Sequence, residues 1–283
     1  MRSKVGIIGA GGLIGTALQK FMASKYEVQV FKSKILYSDA EHLATKLESL
    51  DIIINLAGHP VAGRWNKKIK KLIYNSRIDT TKNLVNAINM MKIKPFHFIN
   101  ASAVGIYADG KLCDENSTHF AGNFLSKVVR DWEREAESVS GVKLTIIRIG
   151  VVLSRTGGAY TFLRKIFKVG VGGRIGSGKQ GFSFILIDDL IRIFDFVICN
   201  KIYGIINAVS PNPSTNQFLT LELAKILKRP ALIPIPVILI KLLYGEGSCT
   251  ILDGQKVVPF RLLEYKFVFV GNNLSTCLKI LEK

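Results

Sequence analysis

Three glycines near the start of the chain are spaced for phosphate binding. Gly9, Gly12 and Gly15 form the pattern G-x-x-G-x-x-G at the end of the apolar run VGIIG. The first glycine permits a tight turn, the second lets the backbone approach a pyrophosphate, and the third lets a helix pack closely on a strand. The N–H groups at the start of that helix are free to face phosphate oxygens. The pattern therefore predicts a dinucleotide site.

The residues after the second apolar run, VQVF, distinguish between the two nicotinamide dinucleotides. Lys32, Ser33 and Lys34 follow this run, and no acidic residue occurs before Asp39. An acid at this point would bind the ribose 2′-hydroxyl of NAD, whereas a 2′-phosphate would find two amines and a hydroxyl. Charge-assisted contacts contribute about 1.5–3 kcal/mol each, which predicts a preference for NADP. The alternative is that both lysines are ordinary surface residues.

Short apolar runs alternate with amphipathic segments over the first half of the chain, which predicts an α/β fold with a Rossmann-type, doubly wound parallel sheet. The predicted strands are 5–9, 28–31, 51–58, 96–102, 143–153 and 203–209, and the main predicted helices are 13–24, 39–49, 66–91, 120–139, 187–199 and 210–227. We expect an NADP-binding domain at 1–155, continued by 183–210. We expect residues 156–182 and 211–283 to form a smaller, mostly helical lobe that binds substrate.

The composition excludes some functions and leaves others open. The chain has 283 residues, 48% of them hydrophobic, and a net charge of +18. We find no apolar run that could span a bilayer and no metal-binding pattern among the scattered histidines and cysteines, and we expect a cytoplasmic protein. Lys67, Lys68, Lys70 and Lys71 fall on one face of a predicted helix. That face is either solvated or contacts an anionic partner or membrane surface, and nucleic acid is the less favoured partner because basic residues are widespread.

A second glycine-rich segment only partly resembles a triphosphate site. Residues Gly173 to Lys179 read GRIGSGK and satisfy G-x-x-x-x-G-K, but Gln180 stands where a magnesium-binding Ser or Thr is needed. No apolar strand precedes the segment and no helix is predicted directly after it. We therefore expect no triphosphate site here, although the loop could contact an anionic substrate.

Two further motifs, INLAG at 54–58 and SAVGIY at 102–107, complete a pattern that resembles the extended short-chain dehydrogenase/reductases. Within them the chain resembles the NAD(P)-dependent epimerase family with a C-terminal lobe of its own, which includes nucleoside-diphosphate-sugar epimerase-like and cell-division-inhibitor-like proteins. The supporting stretches are NLAGHPVAGRW, SRIDTTKNLV, RIGVVLSRTGGA, GGRIGSGKQGFSFILIDDL, NAVSPNP, RPALIPIP and LDGQKVVPFRLLE.

This resemblance implies a set of cofactor-binding residues and a catalytic serine. Its members are Gly9, Gly12, Leu13, Ile14 and Gly15 at the pyrophosphate; Lys32, Ser33 and Lys34 at the 2′-phosphate; Leu56, Ala57 and Gly58 at the adenosine side; Arg77 beside the cofactor; Gly150 and Val151 near the nicotinamide; and Ser102 at a substrate oxygen.

The chain departs from the family at its usual catalytic pair, Tyr-x-x-x-Lys. Lys127 is present, but Asn123 stands four residues before it in place of the tyrosine. An amide cannot exchange a proton near neutral pH, and loss of a general acid typically costs a factor of roughly 10²–10⁴ in rate. Among nearby proton donors, which include Asp109 and Glu115, we favour Tyr107 as the replacement; otherwise Tyr107 simply packs beside the pocket.

Three functional hypotheses follow, of which the least favoured is a nucleic-acid or anionic-surface binder that uses the Lys67–Lys71 face. The first is an NADP-dependent oxidoreductase or epimerase that acts on a small or nucleotide-linked, anionic substrate. The second is a catalytically weak NADP(H)-binding regulator or scaffold. By analogy with the superfamily, the protein could be a homodimer.

Overall fold

The chain folds into alternating strands and helices, described by a computed structural model over residues 2–231 and 233–283. The strands are β1 (Lys4–Ile8), β2 (Glu27–Phe31), β3 (Ile52–Asn55), β4 (His97–Ala103), β5 (Leu112–Cys113), β6 (Lys143–Ile149), β7 (Val151–Leu153), β8 (Gly181–Phe182), β9 (Phe184–Leu186), β10 (Gly204–Ala208), β11 (Ser214–Thr215) and β12 (Lys256–Val257). The helices are α1 (Leu13–Met22), α2 (Ala40–Leu47), α3 (Lys67–Asn75), α4 (Ile78–Met90), α5 (Phe124–Glu137), α6 (Gly158–Lys168), α7 (Ile187–Cys199), α8 (Asn216–Leu227), α9 (Val237–Tyr244), α10 (Cys249–Leu252), α11 (Phe260–Glu264) and α12 (Leu274–Glu282).

The main sheet has six parallel strands in the order β2-β1-β3-β4-β6-β10. The chain passes from β1 to β2 on one side and then returns to place β3 on the other side of β1. This reversal of direction opens a crevice at the carboxyl ends of β1 and β3, which is where doubly wound sheets bind ligands. The predicted Rossmann-type fold is confirmed.

Helices cover both faces of this sheet. On one face α1 and α7 pack against side chains such as Ile7 and Ile54, and on the other face α2, α4 and α5 pack against Ile8 and Ile53. Neighbouring residues of a strand point to opposite faces. Because both faces are buried, the strands need apolar residues at successive positions, and this is why they appear in the sequence as continuous apolar runs.

A second core lies beside the sheet. The short parallel pair β7–β9 packs with α6, α8 and α12 around Leu153, Phe184 and Leu278. The C-terminal region is mostly helical, as predicted. The single strand predicted at 143–153 is wrong, because it divides at Gly150, where a Cβ atom would lie 2.8 Å from Val209 and 2.9 Å from the Ser183 carbonyl oxygen.

Three predicted helices differ clearly from their expected bounds, and the one predicted at 210–227 begins only at Asn216. The helix predicted at 66–91 is two helices, α3 and α4, which meet at Ser76 and Arg77. The Ser76 hydroxyl accepts a hydrogen bond from the His59 N–H at 2.8 Å, which ties this junction to the loop after β3. The helix predicted from residue 120 begins at Phe124, because the Asn123 side chain accepts a hydrogen bond from the Ser126 N–H and caps it.

The C-terminal region is joined to the sheet by polar contacts. The fully buried Asp189 carboxylate, in the first turn of α7, accepts the N–H groups of Val270 and Gly271 at 2.9 and 2.7 Å and pairs with Arg192. Strand β12 also pairs with β5. In the part of the chain that the structure describes, every helix is too short or too polar to cross a bilayer.

Candidate functional site

The turn after β1 has the geometry of a phosphate-binding loop. Gly9 has a φ of +83°, and its N–H donates to the Phe31 carbonyl at 3.1 Å. A Cβ atom added to Gly9 would lie 2.9 Å from the Leu56 backbone, and one added to Gly15 would lie 2.6 Å from the Ala10 Cα. At Gly12 the nearest atom is 3.6 Å away, so this side of the turn is open. Two glycines therefore shape the turn and the third leaves room for a ligand.

The first turn of α1 adds donors to this loop. The N–H groups of Leu13 and Ile14, at the start of the helix, have no intrahelical acceptor, and α1 has no acidic residue in its first turn. The Leu13 side chain reaches the start of α6, where a Cβ atom at Gly158 would lie 3.1 Å from it. The helix N-terminus thus presents free donors and a partial positive charge beside the open glycine.

The segment after β2 carries hydroxyl and amine groups. Lys32 and Lys34 are exposed and Ser33 is half-buried, at the start of a short 3₁₀ helix. The first acid, Asp39, caps α2 by accepting the His42 N–H at 2.7 Å. No carboxylate therefore follows β2 where an NAD-specific site would hold the ribose.

The loop after β3 lies opposite the glycine turn. The Leu56 N–H donates to the Ile8 carbonyl at 2.9 Å, and the N–H of the buried Ala57 donates to the Asn55 side chain at 3.1 Å. These bonds hold the loop against the end of β1. At Gly58 a Cβ atom would lie 3.0 Å from the guanidinium of Arg77, so only glycine fits without displacing that side chain.

Arg77 is a half-buried cation at the edge of the crevice. Its guanidinium donates to the carbonyl oxygens of His59 and Ile73 at 3.0 and 3.1 Å and lies 5.3 Å above the Trp132 ring. Burial lowers the pKa of Arg77 to about 10. Within residues 2–231 and 233–283 it forms no salt bridge, and a partly desolvated cation without a counter-charge favours an anion nearby.

Gly150 and Val151 mark the passage from the main sheet to the second core. The Gly150 N–H donates to Ala208 in the main sheet at 3.1 Å, and the Val151 N–H donates to Ser183 beside β9 at 2.9 Å. Their backbone therefore lies at the carboxyl end of β6, along the same edge as the crevice.

Ser102 belongs to a buried polar network. Its hydroxyl donates to the Glu133 carboxylate, which also receives two hydrogen bonds from Arg148 at 2.8 and 2.7 Å. The side chains of Glu133 and Arg148 are 6% and 3% exposed. The third guanidinium nitrogen of Arg148 donates to the Tyr107 hydroxyl at 2.8 Å. Ser102 and Tyr107 are thus connected through an internal ion pair.

The Tyr107 hydroxyl also donates to the Asn207 side chain at 3.0 Å, and Tyr107 is fully buried. Burial raises the pKa of this hydroxyl despite the adjacent Arg148 cation. A proton donor for a substrate needs an accessible hydroxyl, and this one has both of its contacts inside the protein. The role of Tyr107 as the replacement for the missing catalytic tyrosine therefore stays a prediction.

Lys127 lies apart from that network. It is exposed, its amine pairs with Asp131 one turn along α5, and it lies 5.5 Å from the Tyr74 ring. The structure therefore brings Ser102 and Tyr107 into one network and leaves Lys127 outside it.

Asn123 contacts a residue that the sequence motifs did not single out. While its oxygen caps α5, its amide nitrogen donates to the Asp253 carboxylate at 3.2 Å. Asp253 is half-buried, and both burial and the nearby Asp109 raise its pKa. Along the described residues it has no cationic partner. The stretch LDGQKVVPFRLLE contains this acid, but its partner lies 130 residues away.

The two remaining motifs, the second glycine-rich segment and the lysines of α3, make contacts within the protein. In the segment Gly173 to Lys179, the Gly176 N–H donates to Ile235 at 2.9 Å, and the first residue after Gln180 enters a short strand, unlike a triphosphate loop. On α3, three lysines are exposed while Lys70 pairs with Glu246 and lies 4.8 Å above the Phe124 ring. Three lysines of the predicted face are therefore exposed to solvent, and the fourth is engaged in an ion pair.

Comparison with known proteins places the chain in a family. Residues 5–208 match the model of the NAD dependent epimerase/dehydratase family, and residues 235–281 match a domain of unknown function, DUF1731. Epimerase family protein SDR39U1 of mouse is 34% identical over 99% of both chains, and its chloroplastic homolog in Arabidopsis thaliana is 35% identical over 94% of this chain and 82% of its own. A crystal structure of human SDR39U1 with NADPH has a TM-score of 0.90 at 31% identity, covering 98% of each chain. The chain therefore belongs to the NAD dependent epimerase/dehydratase family.

Proposed function

We propose that this protein is an NADP(H)-dependent oxidoreductase of the extended short-chain type, acting on a small, anionic substrate. The observation that carries the proposal is the open glycine turn beside Gly12, followed after β2 by two lysines and a serine in place of an acid. The human relative solved with NADPH supports the same cofactor. When bound, the nicotinamide would exchange a hydride with a substrate carbon.

Each part of the crevice would hold one part of the dinucleotide. The proposed contacts are Gly9, Gly12, Leu13, Ile14 and Gly15 for the pyrophosphate; Lys32, Ser33 and Lys34 for the 2′-phosphate; Leu56, Ala57 and Gly58 for the adenosine side; and Gly150 and Val151 for the nicotinamide end. Arg77 would remain the half-buried cation beside the cofactor, where a bound anion compensates its charge. The unbonded N–H groups of α1 would face the phosphates.

Asp253 is the better candidate for proton transfer. It contacts Asn123, the residue at the position of the usual tyrosine, and it comes from the C-terminal region that would cover a substrate. Its raised pKa keeps a proton on the carboxyl at higher pH than usual, as a general acid requires. In this proposal Ser102, Glu133, Arg148 and Tyr107 hold β4 and β6 in place behind the site.

The cofactor assignment is tested by titrating the purified protein with NADPH and with NADH. We expect NADPH to bind at least tenfold more tightly. Lys32→Ala/Ser33→Ala should remove this preference by weakening NADPH alone, while the matched exposed pair Lys46→Ala/Ser49→Ala should leave it unchanged. Failure of both dinucleotides to bind would refute the proposed function.

The catalytic assignment needs turnover. Oxidation of NADPH should be followed with a panel of aldehydes and ketones that carry a carboxylate or phosphate group. Asp253→Asn should slow the reaction by roughly 10²–10⁴ with unchanged NADPH affinity, and the exposed Asp188→Asn should not. Full activity of Asp253→Asn would exclude this residue as the acid.

A second function is favoured by the engagement of Ser102 with Glu133 and of Lys127 with Asp131. In this case the protein is an NADP(H)-binding regulator or scaffold with little chemistry of its own. It would bind NADPH tightly without consuming it in the carbonyl panel, and Ser102→Ala would leave its biological role intact. Turnover of any member of the panel at an enzymatic rate would exclude this alternative.

A further inference from the structure

Helix α9 exposes an apolar face. Ile240 is the one buried side chain of this helix, whereas Ile238 and Leu242 are 68% and 66% exposed and Leu239 and Leu243 are 46% and 57% exposed. The four exposed residues form two i, i+4 pairs in adjacent rows, so they share one surface. Ile233, just before the helix, is 81% exposed. Large aliphatic side chains grouped in this way mark an interaction surface.

The chain segments around this helix contain cations and no acids. Residues 52–78 and 154–187 have six Lys or Arg each, residues 223–245 have four, and none of the three segments contains Asp or Glu. They meet at α9. The Arg64 guanidinium donates to the Leu242 carbonyl at 3.2 Å, and the Ile235 N–H donates to the Arg174 carbonyl at 2.7 Å.

The charges nearest the helix remain uncompensated. Lys241 lies on the helix itself, beside the apolar face, and Arg174 is exposed next to it. The first acid after this region, Glu246, pairs with Lys70 of α3. In residues 2–231 and 233–283, Arg64, Arg174 and Lys241 form no salt bridge. The surface is therefore an aliphatic ridge with free cations along its edges.

We propose that this α9 surface docks on an anionic lipid bilayer. Aliphatic side chains that enter the headgroup region, with lysine and arginine beside them, are the combination that holds a protein at a membrane interface. The helix is about 12 Å long, so it would lie along the surface. This inference goes beyond the proposed function, and it gives a role to part of the net charge of +18.

Other partners fit this surface less well. A second copy of the chain would bring its own free cations against Arg64, Arg174 and Lys241, and like charges at an interface are unfavourable. Single-stranded nucleic acid binds through aromatic side chains as well as cations, whereas the exposed apolar residues of α9 are Val, Ile and Leu. Protein interfaces rely on buried Trp, Tyr and Arg anchors, which the apolar ridge lacks.

The proposal is tested by sedimentation of the full-length protein with vesicles of phosphatidylcholine, with and without phosphatidylglycerol. We expect at least tenfold stronger binding to the anionic vesicles and a loss of binding as salt is raised. Ile238→Asn/Leu242→Asn should weaken binding at least tenfold. The matched pair Ile93→Asn/Val268→Asn, equally exposed elsewhere, should not.

A double substitution of two cations measures the electrostatic contribution to vesicle binding. Arg174→Gln/Lys241→Gln should weaken anionic binding at least tenfold, and the exposed pair Lys20→Gln/Lys46→Gln should have a much smaller effect. The thermal midpoint of every variant is compared with the parent to show that it is folded. Four results would each overturn the proposal. They are absence of binding to anionic vesicles, equal binding by the α9 apolar variant and the parent, conversion of a dimer to a monomer by that variant, and displacement of the vesicles by poly(U).

Discussion

Replacing Arg148 with methionine should cause a large loss of stability, because its partner would remain buried. Arg148 and Glu133 form a two-point ion pair at 2.8 and 2.7 Å with side chains 3% and 6% exposed. In the Arg148→Met variant the Glu133 carboxylate keeps the Ser102 hydroxyl and loses both charged bonds. Breaking a buried pair from one side costs about 3–5 kcal/mol, so we expect the free energy of unfolding to fall by that amount.

Urea unfolding followed by circular dichroism measures this change. Arg134 on the same helix provides the control, since its side chain is 74% exposed and its contact with Asp131 is 3.3 Å long. Arg134→Met should cost less than about 1 kcal/mol. A double variant, Glu133→Gln/Arg148→Met, should recover part of the loss because no charge is left inside. If Arg148→Met unfolds within 1 kcal/mol of the parent, the network is not the structural element described here.

Three further perturbations test the site and the core. Gly15→Ala places a methyl group 2.6 Å from the preceding turn. We expect at least tenfold weaker NADPH binding in a titration and a loss of about 1–3 kcal/mol of unfolding free energy in urea. Gly11→Ala, with open space around it, should change neither quantity. Burial lowers the pKa of His97 to about 4. Below pH 6.5 this histidine therefore binds a proton in the unfolded chain before it does in the folded protein. The free energy of unfolding should fall by up to about 3 kcal/mol as the pH falls from 6.5 toward 4. This loss, measured by urea unfolding at each pH, should disappear in His97→Gln and persist in His119→Gln. Tyr107→Phe should cost about 1–2 kcal/mol of unfolding free energy and leave the NADPH dissociation constant unchanged; a selective loss of turnover at full stability would instead support a catalytic role for Tyr107.

The fold was predictable where the signal is local. The glycine turn needs only Gly9, Gly12 and Gly15 in register with a strand and a helix, and all of its geometric demands fall within a few residues. The six strands were visible because burial on both faces requires continuous apolar runs. The division of residues 66–91 was not predictable, because no glycine or proline stands at Ser76 and Arg77.

The polar interior was hidden for a different reason. Glu133 lies in the sequence DWEREAE, which resembles a solvated helix surface, and only the packing of α5 on β4 and β6 buries it. The contact between Asn123 and Asp253 joins residues 130 positions apart. No local pattern encodes such a pair, so the sequence showed that a tyrosine was missing without showing which acid stands beside its position.

The bonds of Asp189 bear on the order in which the molecule can mature during synthesis. Helix α7 carries this carboxylate into the interior, where the N–H groups of Val270 and Gly271 satisfy it. Until those residues leave the ribosome, burial of α7 would leave this carboxylate with Arg192 as its charged partner but without two of its hydrogen bonds. We therefore expect the nascent chain to close this face of its sheet only about eighty residues after α7 begins, and during that interval we expect its apolar strands to remain accessible to chaperones.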